Sequence, residues 1–249
     1  MMTLYLTFEA LQTGRLQWVQ QLPVSRHAAN RVPTKLGIRP GEKITVREAV
    51  PGMIVVSGND AAVVVAEELA GSEKAFARIM TARAHDLGMR RTVFRNASGL
   101  PDRQQLTTAR EMALLGIALM RDFPDEYRLF RRRAMKFRGR SRYGHYRLLS
   151  SYAGVDGIKT GHTNWSGFDL VTSAKLENRC IVGVVMGAKF FDLGSAPAFA
   201  AFCPDAGYGS ANASASTEAA ESQVQSLRGE RRVPIRPQPR SRRIGIGRQ

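Results

Sequence analysis

Cysteine is scarce in this chain: Cys180 and Cys203 are the only 2 among 249 residues. Neither has a partner at metal-ligand spacing, which excludes a thiolate metal site. Cys180 lies in a strand-like run, where a buried free thiol is the default expectation. Long apolar runs are missing too, and none reaches the roughly 20 residues that a bilayer-crossing helix needs. The first residues lack the basic n-region, unbroken apolar stretch and small-residue cleavage site of a secretory signal. Acids are missing from two stretches. Arg128 to Arg147 holds nine Lys or Arg and no acid, and Arg228 to Gln249 holds eight Arg against Glu230 alone. These stretches carry much of the net charge of +16. Such a balance favours anionic partners such as acidic polymers or anionic lipid, and singles out no specific nucleic acid. A solvated basic face plus a disordered arm meets the same composition.

What is present reads as one globular domain. The 43% apolar content is ordinary, and the length allows a sizeable core. Met1 to Leu11 places Leu4, Phe8 and Leu11 at helical spacing with Glu9 on another face, an amphipathic helix ended near Gly14. A chain that opens directly inside a core-facing helix leads us to expect something upstream. Pro23 to Glu42 is irregular. Val46 to Val56 is apolar and helical, with Pro51 expected to kink or shorten it. Asp60 to Leu69 is a buried helix. Ser72 caps another that runs to Leu87, with Phe76, Ile79, Met80 and Leu87 as its stripe. Thr92 to Asp102 is loop. Thr108 and Glu111 fit a capping box that opens a further helix bearing Met112, Leu115 and Leu119. Met135 to Arg138 alternates as a short strand projecting charge outward. Phe168 to Ala174 and Cys180 to Met186 read as an antiparallel hairpin of core strands. Beyond Lys189 the pattern dissolves. We expect residues 1–203 to form the domain and 204–249 a disordered Arg/Pro/Gly-rich tail, unable to bury enough surface to offset its ordering entropy.

Two triplets carry the chemistry. Ser57-Gly58-Asn59 sits at a loop-to-helix junction, and Lys159-Thr160-Gly161 follows a Gly-rich turn. Each alone is weak; Ser57 could simply cap the next helix and Lys159 could be a surface lysine. Their order, separation and setting say more. Ser57 to Ala61 reads S-G-N-D-A, and Val155 to Thr163 reads V-D-G-I-K-T-G-H-T. Between them lie Phe94 to Leu100 and a helix opened by Thr108-Ala109-Arg110-Glu111. Together these runs, from about Met1 to Ala188, resemble the D-alanyl-D-alanine carboxypeptidases of the low-molecular-mass penicillin-binding class. Their motif set is S-x-x-K, an SDN-type triplet and K-T-G. No Ser here has Lys three residues later, so nucleophile and base are absent from this chain. Thr172 and Lys175 have the spacing but lie in a strand-like run, where such positions face opposite sides.

The resemblance implies an α+β fold of β-lactamase/transpeptidase type: an antiparallel sheet flanked by helices plus a helical subdomain, truncated at its N-terminus. The missing pair would lie just before Met1. The substrate implied is a peptidoglycan stem peptide ending in D-Ala-D-Ala, with β-lactams as mimics and no cofactor. Ser57 would relay a proton to the leaving amine, and Asn59 would hydrogen-bond the substrate backbone. Lys159 would draw the terminal carboxylate, with Thr160 and Thr163 bonding it. Gly161 would admit the substrate backbone closely, and the His162 N–H would be an oxyanion donor. The expected compartment is periplasmic or cell-envelope. A non-catalytic fragment that binds peptidoglycan peptides or polyanions is the alternative; a class A β-lactamase would need a deacylation Glu, and none in this sequence matches it.

Overall fold

The computed structural model describes residues 1–176, 179–188 and 198–203. The expected disordered tail, 204–249, lies outside the described residues. Helix α1 (Met2–Gln12) is followed by strand β1 (Gln21–Pro23), helix α2 (Arg26–Ala29) and strand β2 (Lys43–Thr45). Helices α3 (Val46–Val55), α4 (Asn59–Ala70), α5 (Glu73–Asp86) and α6 (Ala109–Asp122) come next. A short α7 (Pro124–Tyr127) and a 3-10 turn lead to strands β3 (Ala134–Phe137) and β4 (Arg140–Tyr143) and helix α8 (Leu148–Ser151). Strands β5 (Val155–Thr163), β6 (Gly167–Leu176), β7 (Arg179–Ala188) and β8 (Ala198–Cys203) complete the described residues in an antiparallel sheet of that order. The class is α+β, as the sequence implied.

Helix α1 is not amphipathic. Met2 to Phe8 are all buried, so it runs through the core and not along its edge. Its one acid, Glu9, is neutralised by Arg83. The edge rings of Tyr5 and Phe8 meet Phe123 at 4.9 and 5.8 Å. Helix α3 continues across Pro51 without ending. A full capping box, in which Thr45 and Glu48 bond each other's backbone N–H, opens it. At α6 the expected box is only half made. Thr108 Oγ1 accepts from Glu111 N–H, but the Glu111 carboxylate turns to Arg91 N–H and Thr92 Oγ1 and secures the preceding loop. Ser72 caps α5 as expected. That helix buries Phe76, Met80 and Ala84, while Ile79 is exposed because the buried stripe follows the i, i+4, i+8 row.

Helix α6 lies against the sheet at Gly116, where an added Cβ would come within 3.0 Å of Ile158 Cδ1 and 3.2 Å of Val182 Cγ1. The β6–β7 hairpin forms where the alternation put it. Two expectations fail at its far edge. Ala198 to Cys203, read as patternless, pairs with β7 as β8. Cys180 is disulfide-bonded and not a free thiol; Cys203 stands opposite it in the β7–β8 register, and the chain has no third cysteine. Ala-Phe-Ala-Ala-Phe-Cys has no β-branched residue and no strict alternation, so only its long-range partner makes it a strand.

Candidate active site

Strand β5 stands first in the sheet order, with β6 its only neighbour among the described residues. It carries Lys159 to Thr163 opposite Val171 to Gly167. Its position is fixed from behind. Gly157 fits because a Cβ there would meet Tyr127 Oη at 3.0 Å and Phe130 Cβ at 3.2 Å. Tyr127 Oη, Ser173 Oγ and Asp156 Oδ1 then form a buried hydrogen-bonded chain with links of 2.5 and 2.6 Å. Tyr146 Oη hydrogen-bonds Gly157 O at 2.6 Å and Thr172 Oγ1 at 2.7 Å.

The α3–α4 junction faces this strand. Ser57 adopts φ +55°, the left-handed region uncommon for a residue with a side chain. It does not cap α4; Gly58 occupies that position, without a side-chain bond. Gly58 N–H donates to Gly52 O at 3.0 Å, which tightens the turn and aims Ser57 outward. Gly52 is needed because a Cβ there would sit 2.6 Å from Leu36 Cδ1. The loop from Val32 to Ile38 braces the junction. Thr34 Oγ1 donates to Ser57 O at 2.9 Å, and Asn59 N–H donates to Thr34 O at 2.9 Å. The Asn59 side-chain amide donates to Val32 O at 3.2 Å. Asp60, wholly buried, accepts from the N–H groups of Leu36, Gly37 and Ala61, each at 2.9 Å, and of Ile38 at 3.4 Å. Its charge is met by peptide dipoles at a helix N-terminus.

The two triplets meet across 102 residues of sequence: Lys159 Nζ donates to Ser57 Oγ and, at 2.9 Å, to Thr160 O. Lys159 is therefore no surface lysine. Burial pushes its amine down from 10.5 to about 8, because the charged form loses water without gaining a carboxylate. Around the pair opens a cleft of about 860 Å3, whose lining includes Met1, Ser57, Asn59 and every residue from Lys159 to Thr163. All seven residues singled out from the sequence thus line one cleft. Thr163 Oγ1 is engaged with Ser166, 2.8 Å from its hydroxyl and accepting from its N–H at 2.9 Å. The His162 ring lies 4.2 Å from the ring of Phe168, its cross-strand partner on β6. At Gly161 a Cβ would meet only Asp169 at 3.6 Å, so the fold itself has room for a side chain there.

Sequence reasoning missed Thr34 and His145. Thr34 sits in an irregular loop without a motif. His145 lines the cleft beside Lys159. Its adjacency to Gly144, whose Cβ would stand 3.1 Å from Val55 O, was the available signal.

Comparison with known proteins decides the assignment. The family model for D-alanyl-D-alanine carboxypeptidase (peptidase S11) matches residues 1–190. The chain belongs to that family. It is 36% identical over 195 residues to the D-alanyl-D-alanine carboxypeptidase DacC of Escherichia coli, covering 76% of this chain and 49% of that protein. It is 35% identical over 195 residues to DacF of Bacillus subtilis, with 76% and 49% covered. Among solved structures, penicillin binding protein 5 of Haemophilus influenzae superposes with TM-score 0.73 at 33% identity, over 77% of this chain and 57% of that one. Penicillin-binding protein D2 of Listeria monocytogenes, in a cefotaxime-bound form, gives 0.70 at 26%, over 77% and 78%. The fold is therefore that of the family's penicillin-binding proteins. The chain spans about half the length of the curated relatives it matches.

Proposed function

We propose that this chain supplies two walls of a D-Ala-D-Ala carboxypeptidase site and holds D-Ala-D-Ala peptides and β-lactams without forming an acyl-enzyme. The observation that carries this reading is the buried contact between Lys159 and Ser57 inside an open cleft. A buried cation without a carboxylate partner is poised for an anionic ligand, and the terminal carboxylate of the peptide is such a group. Thr160 and Thr163 are the hydroxyls assigned to that carboxylate. Asn59 bonds the peptide backbone. Gly161 leaves space that the fold does not use, which suits close approach of a substrate chain. The His162 N–H serves as one oxyanion donor. Ser57, already bonded to Lys159, relays the proton that the leaving amine needs.

The reaction of the family requires a serine attacking the carbonyl between the two D-alanines, with a lysine one helical turn away as base. No Ser-x-x-Lys pair occurs in this chain. Losing one oxyanion donor alone costs about two to three orders of magnitude in rate, and losing the nucleophile removes covalent catalysis. The full-length relatives' activity, and their cell-envelope setting, are proposed for this chain only as a part of such a site. No helix among the described residues is long and apolar enough to cross a membrane.

Incubation with a fluorescent penicillin separates the outcomes. Displaceable binding without a gel-stable adduct supports the reading, and a covalent adduct on the purified chain overturns it. A second reading, polyanion binding, is favoured by the arginines of 228–249. Heparin retention lost on deleting 228–249 supports it, and retention unchanged by that deletion rejects the tail as its source.

A further inference from the structure

The residues flanking the basic β3–β4 hairpin line a second, partly open cavity, of about 190 Å3, that adjoins the cleft at Lys159 and Thr160. The two spaces share His145, Lys159 and Thr160 in their linings. Besides Lys159, the charged residues lining the smaller one are Arg132, Arg133 and Arg147, and no Asp or Glu lines it.

Arg131 is paired with Asp156 at 3.3 Å, and Arg138 with Glu42 at 2.8 Å. Arg132, Arg133, Arg140, Arg142 and Arg147 have no ion pair among the described residues. Of these, Arg132, Arg133 and Arg147 line the cavity. Their backbone is also held in place. Gly144 N–H donates to Arg133 O at 2.8 Å, and no side chain fits at Gly144 against Val55 O. Tyr146 ties the same segment to β5 and β6. Arg133 Nη2 donates to Leu149 O, which orients its guanidinium. The three arginines are exposed, and this anchoring fixes where their charges sit beside the partly open cavity.

We propose that this cavity is an anion subsite that takes a side-chain carboxylate on the C-terminal residue of the bound peptide, so that D-Ala-D-Xaa peptides with an acidic Xaa are preferred ligands. The inference rests on the reading that the cleft holds such peptides with their terminal carboxylate at Lys159 and Thr160. A side chain leaving that position passes the wall the two spaces share. It then meets guanidinium groups whose planar N–H forks match a carboxylate. A propionate-sized side chain fits the cavity's volume, and its charge is neutralised by cations that have no ion-pair partner among the described residues.

The test is fluorescence polarisation with dansyl-labelled peptides ending in D-Ala-D-Ala, D-Ala-D-Gln and D-Ala-D-Glu, on the full chain. Gln and Glu are matched in size, so their ratio reads charge alone. We expect the Glu peptide to bind about tenfold more tightly than the Gln peptide at low salt, the ratio falling as salt rises. In Arg132→Gln/Arg147→Gln the ratio should fall to about one while D-Ala-D-Ala binding is unchanged. Arg147→Gln alone should give an intermediate ratio, and circular dichroism checks that both variants fold. Equal binding of Glu and Gln peptides to the parent chain, with D-Ala-D-Ala still bound, overturns the subsite and leaves the cleft reading standing. Equal loss of all three peptides in the arginine variants overturns it too, because the arginines would then serve the main-chain carboxylate. Failure of all three peptides to bind the parent chain overturns the cleft reading itself.

Discussion

Replacing Lys159 by Met should stabilise the fold and abolish ligand binding. Met keeps the length of the stem and removes the charge. Burial lowers the amine from 10.5 to about 8, and a drop of that size corresponds to about 3 kcal/mol of cost for keeping it charged at neutral pH. The substitution also removes the bonds to Ser57 Oγ and Thr160 O, worth about 1 kcal/mol each. The variant should therefore gain about 1 kcal/mol at pH 7, or about 2–4 °C in melting temperature for a domain of this size. The pH dependence carries the sign. Below pH 8 the lysine is protonated both folded and unfolded, and the whole cost is present. Between pH 8 and 10.5 the unfolded chain binds more protons than the folded one, so the parent chain gains stability as pH rises. The gap between variant and parent should thus narrow across that interval. Thermal melts followed by circular dichroism at pH 7 and pH 9.5, with peptide binding measured alongside, decide it. A variant that melts below the parent at pH 7, or a gap that stays constant with pH, would refute the reasoning.

The other predictions concern the supports of the cleft. Ser57→Gly should be more stable than Ser57→Ala by about 1 kcal/mol in denaturant titrations, because both lose the hydroxyl but only Gly relieves the left-handed backbone at φ +55°; equal midpoints would argue against strain there. Asp60→Asn should cost about 2–3 kcal/mol, since an amide presents a donor to backbone N–H groups that the carboxylate now satisfies. It should also weaken peptide binding by loosening the loop that braces Ser57 and Asn59, whereas unchanged stability would show that the cradle is dispensable. Reducing the disulfide of Cys180 should lower stability by about 2–4 kcal/mol; a melting temperature indifferent to reductant would contradict that.

The helical half was legible because its signals are local. Ser72 and Thr108 announce helix starts through bonds to backbone only three residues away, and Phe76 and Met80 follow from helical period, whereas Ile79 of the same expected stripe is exposed. The β6–β7 hairpin was equally local. Helix α1 was misjudged because its faces differ little in polarity once Thr3 and Thr7 count as buried; Thr7 bonds Thr3 O and Thr3 bonds Ala97 O, so both satisfy their hydroxyls inside the core. Only the packed structure provides Ala97 as an acceptor. Strand β8 and the disulfide state of Cys180 share one cause: each depends on a register set by β7, which no property of residues 198–203 reveals.

For the site, the sequence by itself determined the residue types and their family: S-G-N-D-A and V-D-G-I-K-T-G-H-T identify the chemistry, and the lack of any Ser-x-x-Lys marks what is missing. Tertiary structure decided everything that depends on meeting in space. It brought Lys159 onto Ser57, buried the amine so that its charge became costly, and turned Ser57 from a plausible cap into a strained, outward-facing hydroxyl. It also matched some arginines of one basic stretch with acids and set three unmatched ones, Arg132, Arg133 and Arg147, around a cavity. Spacing along a chain encodes which groups share a helix face or a strand; desolvation and pairing depend on neighbours a hundred residues away, and those exist only once the sheet has closed on the helices.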